Sequence, residues 1–292
     1  GILRGLQRIP FSFVLIAVLT SSNIFTTWFA LYVLNTGLVG AAVGTTGSFV
    51  LATVLGLSWL VKNNDVSALF QRVELKIADA LGFGAEAFDL SIRTLCLTGS
   101  FVIATSVATR LGADVVAAHQ IGLQVWVFSA FFVDGFAVTA TSLGGRFLGE
   151  ENRDKWRVLG NRLLLLGLLT GVAFSILFLV AARPIQTIFT NDSSLTAIID
   201  QYWWLIIICE PFNALIFIYD GILFGSRNYR FLRNSMAGSL LIAFLPVLVI
   251  GYFTTLSIRT IWLALAARNA FRLATAAWFY HCRVETDACS PG

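Results

Sequence analysis

Long apolar runs separated by short polar stretches fill the sequence from position 10 to position 281. Each run is close to or above the roughly 20 residues that an α-helix needs to cross a hydrocarbon core of ~30 Å. The pattern predicts eight membrane-spanning helices, at 10–34, 41–61, 91–110, 115–145, 160–182, 197–225, 231–253 and 257–281. The fourth window is longer than one crossing requires, so we expect part of it to extend beyond the bilayer.

The segment 62–90 has a different pattern. Its apolar positions recur at spacings of three and four, and its charged residues occupy the other side, as in an amphipathic helix. Such a helix is predicted to lie along the membrane surface. We therefore expect a helix pair at 1–61, a cytoplasmic linker at 62–90, a six-helix block at 91–282 and a cytoplasmic tail at 283–292.

Composition and charge support a membrane protein. Apolar residues make up 57% of the chain, charged residues 12%, and the mean hydropathy is +0.81. If the linker is cytoplasmic, most Lys and Arg outside the spans lie on that side, and only Arg110, Arg183 and Arg259 lie on the other. This asymmetry follows the positive-inside rule. The net charge of +4 then reflects orientation in a lipid bilayer, and we expect no nucleic-acid partner.

A five-residue phrase occurs twice with one difference, as Gly1-Ile2-Leu3-Arg4-Gly5 and as Gly221-Ile222-Leu223-Phe224-Gly225. In a duplicated protein, equivalent phrases follow equivalent sequence. The two spans after the second copy mirror the helix pair after the first. We therefore expect a parent of two six-helix lobes, N-terminally truncated here to the last two helices of its N-lobe and a complete C-lobe.

Paired six-helix lobes are typical of secondary transporters. Five short motifs carry a closer resemblance: Arg93-Thr94-Leu95-Cys96, Arg110-Leu111-Gly112, Ala117-Ala118-His119-Gln120-Ile121, Asp134-Gly135-Phe136-Ala137 and Tyr219-Asp220-Gly221. In these motifs the chain resembles the multidrug and toxic compound extrusion (MATE) family, in its DinF-like branch. The resemblance implies an all-α polytopic fold of six plus six helices, with the eight spans as helices five to twelve.

The same resemblance implies a function. It is that of a secondary active antiporter, or a fragment of one, which exports amphipathic or cationic organic compounds in exchange for H⁺ or Na⁺. It implies no cofactor, a lipid bilayer and small organic molecules as partners, and a monomer when complete. The expected location is a bacterial inner or plasma membrane, with an organelle membrane as the alternative.

Polar residues inside the fourth span are the first candidates for a site. A turn of 100° per residue places His119, Gln120, Gln124 and Asp134 within roughly 140° of arc, which can line a cavity. Charged residues in spans are costly and usually face protein or water. Asp134 is therefore a coupling candidate, and the alternative is a structural ion pair with Arg93. For His119 we favour a hydrogen-bonded packing role.

The sixth span carries Glu210, Asn213 and Asp220 within about 80° of the helix circumference. Pro211 frees a backbone carbonyl beside Glu210, and such carbonyls serve as ion ligands in transporters. Asp220 and Glu210 lie ~15 Å apart along the axis, too far to hold one ion together. A contact between Asp220 and a basic loop residue is the structural alternative. We expect Glu210 to be hydrated near the outer face, and we rank it with Asn213 below Asp134 and Asp220.

Three further residues complete the candidates. Arg268 and Arg272 share one face of the last span and can pair with Asp220 or extend to the cytoplasmic side. Asn23 in the first span lines the N-lobe or makes a helix–helix hydrogen bond.

Other classes of protein remain as alternatives at this point. One is a flippase for lipids or lipid-linked sugars from the same superfamily, and another is a truncated product without transport activity. An enzyme is not expected, because no nucleophile motif or metal-ligand spacing is present. The four cysteines predict neither a disulfide framework nor a metal site.

Overall fold

The computed structural model describes residues 9–62 and 77–284. The first copy of the repeated phrase, positions 63–76 of the predicted linker and most of the tail lie outside these residues. All elements in the described part are helices, as the all-α expectation requires. The chain divides into two compact units, Gly1–Asp79 and Ala80–Gly292.

The first unit is a pair of antiparallel helices. Helix α1 (Ile9–Trp28) continues as a π-helical turn, Phe29–Val33, and α2 covers Gly37–Lys62. Gly37 joins them with a φ of +59°, a left-handed conformation that glycine adopts without strain. These boundaries agree with the first two predicted spans.

Small residues at every fourth position of α2 let the two helices approach closely. A Cβ atom on Gly44 would lie 3.0 Å from the Thr26 hydroxyl oxygen, and one on Gly56 would lie 3.3 Å from Leu15. The Ser48 hydroxyl donates to the Gly44 carbonyl oxygen at 2.9 Å. Close backbone approach through small residues is a common way for helices to associate in lipid.

The second unit contains the six-helix block. Its elements are α3 (Ile77–Arg110), α4 (Ala113–Gly149), α5 (Arg153–Val180), the short α6 (Ala182–Phe189), α7 (Ser193–Gly225), α8 (Tyr229–Gly238), a π-helical segment (Ser239–Phe244), α9 (Leu245–Phe253), α10 (Ile258–Phe279) and a last π-helical turn (Tyr280–Val284). Segments α8 to α9 form one continuous crossing. Because successive crossings alternate in direction, the α4–α5 and α7–α8 connections lie at one end, which we call the basic end.

Helix α3 differs from its predicted boundaries. It begins at Ile77, so positions 77–90 of the predicted linker belong to the same helix as the span at 91–110. At its other end, Gly112 has a φ of +124° in the tight connection to α4, which explains the glycine of the Arg110-Leu111-Gly112 motif.

Seven helices in the described residues are long and apolar enough to cross a membrane. The eighth predicted span corresponds to α10, which is 22 residues long but less apolar. Its polar character comes from Arg259, Arg268 and Arg272, and the last two are buried within the unit. Helix α10 therefore combines the length of a span with an unusually polar buried face.

Two apolar clusters fill the interior of the second unit. One surrounds Trp262 and Tyr202, whose rings stack at 4.6 Å, and lies toward the end opposite the basic end. The other surrounds Tyr219 and Tyr280 near the basic end. Between the clusters, α7 and α10 carry a layer of buried polar side chains.

The crossing of α4 and α7 is especially close near the basic end. A Cβ atom on Gly221 would lie 2.4 Å from the Ala137 carbonyl oxygen, and one on Gly225 would lie 3.0 Å from the Thr141 carbonyl oxygen. The Thr141 hydroxyl donates to the Gly221 carbonyl oxygen at 3.0 Å. The second copy of the repeated phrase therefore supplies the glycines of this crossing.

Replacing Gly221 by Ala is expected to lower the free energy of unfolding by ~1–3 kcal/mol, because the added methyl group meets backbone atoms that cannot move aside. Thermal unfolding in detergent measures the effect. Gly135→Ala on α4 is the control, since a Cβ atom there has no neighbour within 4 Å. An equal loss in both variants would contradict this role of the crossing.

Asp192 caps the start of α7 and predicts a pH dependence. Its carboxylate accepts a hydrogen bond from the Ser194 amide at 2.8 Å, which lowers the pKa of Asp192. This stabilisation is complete above the ordinary pKa of about 4 and is lost as the pH falls through the lowered pKa. The melting temperatures of the unsubstituted chain and of the Asp192→Ala variant should therefore differ at pH 7 and converge in acid. A difference that persists at the acidic end would exclude the carboxylate as its origin, and Asn191→Ala serves as the neutral control.

Candidate functional site

Asp220 lies between two arginines from two other helices. Its carboxylate accepts a hydrogen bond from Arg93 of α3 and, at 2.6 Å, from Arg272 of α10. All three side chains are largely buried. The pairing of Arg272 with Asp220 is confirmed. The predicted alternatives of an Arg93–Asp134 pair and of a loop partner for Asp220 are wrong, because α7 rather than α4 faces Arg93.

Arg268, one turn before Arg272, has a different environment. Its guanidinium donates to the Ser100 hydroxyl and, at 3.2 Å, to the side-chain oxygen of Asn269. It also lies over the Phe101 ring, 4.6 Å from the centroid. The expected pairing of Arg268 with Asp220 is therefore wrong, since α3 lies against this turn of α10.

Asn213 contacts α10 at the same level. Its side-chain oxygen accepts a hydrogen bond from Asn269 at 2.7 Å, and its amide nitrogen has no hydrogen-bond partner among the described residues. Both asparagines line a cavity of about 10 Å³ together with Trp126 and Trp262. That volume is close to the smallest that holds one water molecule. The cavity is too small for an organic substrate in this conformation.

Glu210 is buried between α4 and α7. The residue is only 2% exposed, and its carboxylate accepts a hydrogen bond from the Ser129 hydroxyl at 3.0 Å. The expected hydration is wrong, because α4 and α5 cover this turn of α7. The carbonyl of Ile207, freed by Pro211, accepts a hydrogen bond from Ser175 at 2.6 Å and so is already satisfied. Glu210 has no cation as a partner in the part of the chain that the structure describes.

Three of the four candidates on α4 share an exposed face. Gln120, Gln124 and Asp134 all lie on it, and Phe131 lies between them. We call these four residues the α4 stripe. Asp134 lies well inside a helix of 37 residues, so its carboxylate is exposed far from either end. A charged side chain at that depth is costly in lipid, which indicates that the stripe faces water or protein.

His119 does not belong to this face. It is fully buried, and its ring packs edge-on against Trp262 at 5.7 Å. The packing role predicted for His119 agrees with this position. The expected hydrogen bond is wrong, since neither ring nitrogen has a partner among residues 9–62 and 77–284.

Asn23 belongs to the first unit. Helix–helix hydrogen bonds there involve Ser22, Thr26 and Ser48 instead of the Asn23 side chain. The predicted hydrogen bond of Asn23 across the helix pair is therefore wrong, because its serine neighbour one position earlier faces α2.

Sequence reasoning missed Ser100, Ser129 and Asn269, each of which binds a charged or polar candidate. The available signal was a polar residue at helical spacing from another one, as for Asn269 and Arg272 on α10. Hydroxyl groups gave no signal of their own, because most serines and threonines here bond to the carbonyl one turn earlier. Among the described residues, no group of three His, Cys, Asp or Glu is arranged to hold a metal ion.

Asp220→Asn is expected to lower the free energy of unfolding by about 3–5 kcal/mol, because it leaves two buried guanidinium groups without a counter-charge. Asp134→Asn removes an exposed carboxylate and should change it by no more than about 0.5 kcal/mol. Thermal or denaturant unfolding of both variants in detergent tests the difference. A mild effect of Asp220→Asn would show that the arginines find other partners.

Comparisons with known proteins agree on one family. The MatE family profile matches residues 90–253. Protein DETOXIFICATION 44, chloroplastic, of Arabidopsis thaliana is 29% identical over 248 residues, covering 85% of this chain and 46% of that protein. DNA damage-inducible protein F of Escherichia coli (strain K12) is 28% identical over 204 residues, covering 68% and 43%. This chain therefore spans about half the length of the curated relatives it matches.

Solved structures show the same fold. The structure of the Vibrio cholerae MATE transporter VcmN superposes with a TM-score of 0.87 and 18% identity, over 97% of this chain and 64% of that chain. A MATE structure in the straight conformation superposes with a TM-score of 0.83 over 99% and 66%. The described helices thus share the fold of these structures.

Proposed function

Because the chain belongs to the MatE family of transporters, we propose that it forms part of a secondary antiporter for amphipathic or cationic organic compounds, driven by H⁺ or Na⁺. The observation that carries this proposal is a pair of carboxylates inside spans, Glu210 and Asp134, that have no cation bound to them among the described residues. Asp220, in contrast, is already neutralised by two arginines. One free carboxylate is available for the ion and one for the substrate.

Asp134 and the rest of the α4 stripe suit an organic cation. The carboxylate offers a negative charge, the exposed Phe131 ring offers an aromatic face, and Gln124 offers hydrogen bonds. Cations bind both carboxylates and aromatic faces, and the gain increases where water is excluded. A bulky, amphipathic cation can contact all three groups along one helix face.

Glu210 suits the coupling ion. A carboxylate that is buried with a single hydroxyl partner is poorly solvated, so binding a cation or a proton relieves its cost. The carboxyl links α4 to α7, and these helices also carry the stripe and the close glycine crossing. A change of charge at Glu210 can therefore alter how α4 packs on α7.

Antiport follows if the two ligands favour opposite conformations. An ion at Glu210 and an organic cation at the α4 stripe would then each weaken binding of the other, and the effect is reciprocal. The protein would act as a multi-pass membrane transporter without a cofactor, as a monomer when complete. A bacterial inner or plasma membrane is the proposed location.

The flippase alternative requires buried cations for phosphate groups. Arg93 and Arg272 are engaged by Asp220, and Arg268 is engaged by Ser100 and Asn269. In this conformation none of the three arginines is available to bind the phosphate of a lipid headgroup, so the antiporter is the better-supported function.

The test is uptake of ethidium into proteoliposomes driven by an imposed pH or Na⁺ gradient. Glu210→Gln should abolish the gradient-driven part and leave passive exchange. Asp134→Asn should instead raise the KM for ethidium by about fivefold, which corresponds to ~1 kcal/mol of lost binding, and keep the gradient dependence.

Gradient-driven uptake that survives Glu210→Gln would refute the coupling role of Glu210. An unchanged KM in Asp134→Asn would refute the role of the stripe. The substitution Gln201→Ala lies near the start of α7 and away from both carboxylates. It serves as the control for changes in expression and membrane insertion.

A further inference from the structure

Two basic side chains on α5, Lys155 and Arg162, have no acidic partner within the described ranges. Both are exposed, and both lie in the part of α5 nearest the basic end. Three other arginines at this end form ion pairs of 2.5 or 2.6 Å, namely Arg227–Glu86, Arg233–Asp89 and Arg146–Glu150. Lys155 and Arg162 therefore remain able to bind an anion from outside the chain.

These two side chains lie on one outward face of α5. Seven residues turn a helix through almost two full circles, so Lys155 and Arg162 are only about 20° apart on the circumference. The buried residues Trp156 and Gly160 lie on the other side of the helix. Asp154, the acidic residue of the first turn, is about 100° from Lys155 and about 80° from Arg162. The two cations thus share a face that carries no carboxylate of its own.

Arg162 lies where the polar start of α5 meets its apolar part. The segment from 163 to 180 contains no charged residue and is ~27 Å long, close to the ~30 Å of a hydrocarbon core. Leu165 and Leu169 continue the outward face and are exposed. Side chains tilt toward the start of their helix, and α5 starts at the basic end, so Arg162 extends toward the headgroups. Its guanidinium is therefore placed at the level of lipid phosphates.

Lys155 adds a second charge further out. It lies two turns before Arg162, ~10 Å nearer to water, at the level of the group that is esterified to a lipid phosphate. A guanidinium binds the phosphate of any phospholipid through paired hydrogen bonds. An ammonium group beyond that phosphate repels a headgroup that carries a cation, such as choline, and does not repel glycerol. The pair therefore favours a phospholipid of net negative charge.

We propose that the outward face of α5 at the basic end is a binding site for an anionic phospholipid. Arg162 binds the phosphate, Lys155 selects against headgroups that carry a cation, and Leu165 and Leu169 contact the acyl chains. The occupant is a lipid of the surrounding bilayer. The site is separate from Glu210 and from the α4 stripe, so it does not depend on which compound or ion the protein carries.

Native mass spectrometry of the purified chain in detergent, titrated with phosphatidylglycerol or phosphatidylcholine, tests this site. The unsubstituted chain should bind phosphatidylglycerol about fivefold more tightly than phosphatidylcholine. Arg162→Gln should weaken the binding of both lipids by about fivefold, because both carry the phosphate that Arg162 binds. Lys155→Glu should abolish the preference for phosphatidylglycerol, since a carboxylate at this position attracts choline instead of repelling it.

A matched control is available on α8. Arg230 is also exposed near the basic end and has no acidic partner among the residues that the structure describes, but it does not lie on α5. Arg230→Gln removes the same amount of charge as Arg162→Gln. It should leave the dissociation constants of both lipids unchanged.

Four outcomes would overturn the proposal. Equal weakening by Arg162→Gln and Arg230→Gln would mean that lipids respond to the overall charge of the basic end and not to a site on α5. Equal binding of the two lipids by the unsubstituted chain would refute the selection of headgroups. A preference for phosphatidylglycerol that survives Lys155→Glu would refute the role of Lys155. Displacement of phosphatidylglycerol by glycerol phosphate, which has no acyl chains, would indicate a site for soluble phosphate esters instead of a lipid.

Discussion

The second unit depends on one interaction, in which the Asp220 carboxylate is bound by both Arg93 and Arg272. An unpaired arginine inside a bilayer is costly, so both guanidinium groups require this one acceptor. The acceptor is on α7, and the donors are on α3 and α10. The three helices must therefore meet at this depth, which sets their relative heights.

The same constraint also aligns a second layer of polar residues, which lies further from the basic end than the Asp220 pairs. Moving seven residues along α3 leads from Arg93 to Ser100, and moving seven back along α7 leads from Asp220 to Asn213. One turn back along α10 leads from Arg272 to Arg268 and its neighbour Asn269. These are the residues that bond to one another. On all three helices, the next polar positions after this pair therefore lie in the same direction, away from the basic end.

Glu210 differs from Asp220 because the buried arginines of this arrangement bond to other groups. The three arginines bond to Asp220 of α7, Ser100 of α3 and Asn269 of α10, on the side of α7 that faces α3 and α10. Glu210 turns toward α4, where Ser129 is its partner. Glu210 thus has a hydroxyl partner and no cation among the described residues, whereas Asp220 is held by two arginines. Position around α7 therefore decides which of the two carboxylates is paired with a cation.

The sequence by itself determined the spans, their alternation and the polar residues within them, because hydropathy and helical period depend only on the order of residues. It also limited the partners of Asp220 to a few basic residues, of which Arg272 was one. Which helix lies opposite each polar face was decided only by the tertiary structure. A helical wheel gives the direction of a side chain about its own axis, but not the neighbour in that direction. Arg93 therefore meets Asp220 instead of Asp134, and Glu210 is buried by α4 and α5 instead of hydrated.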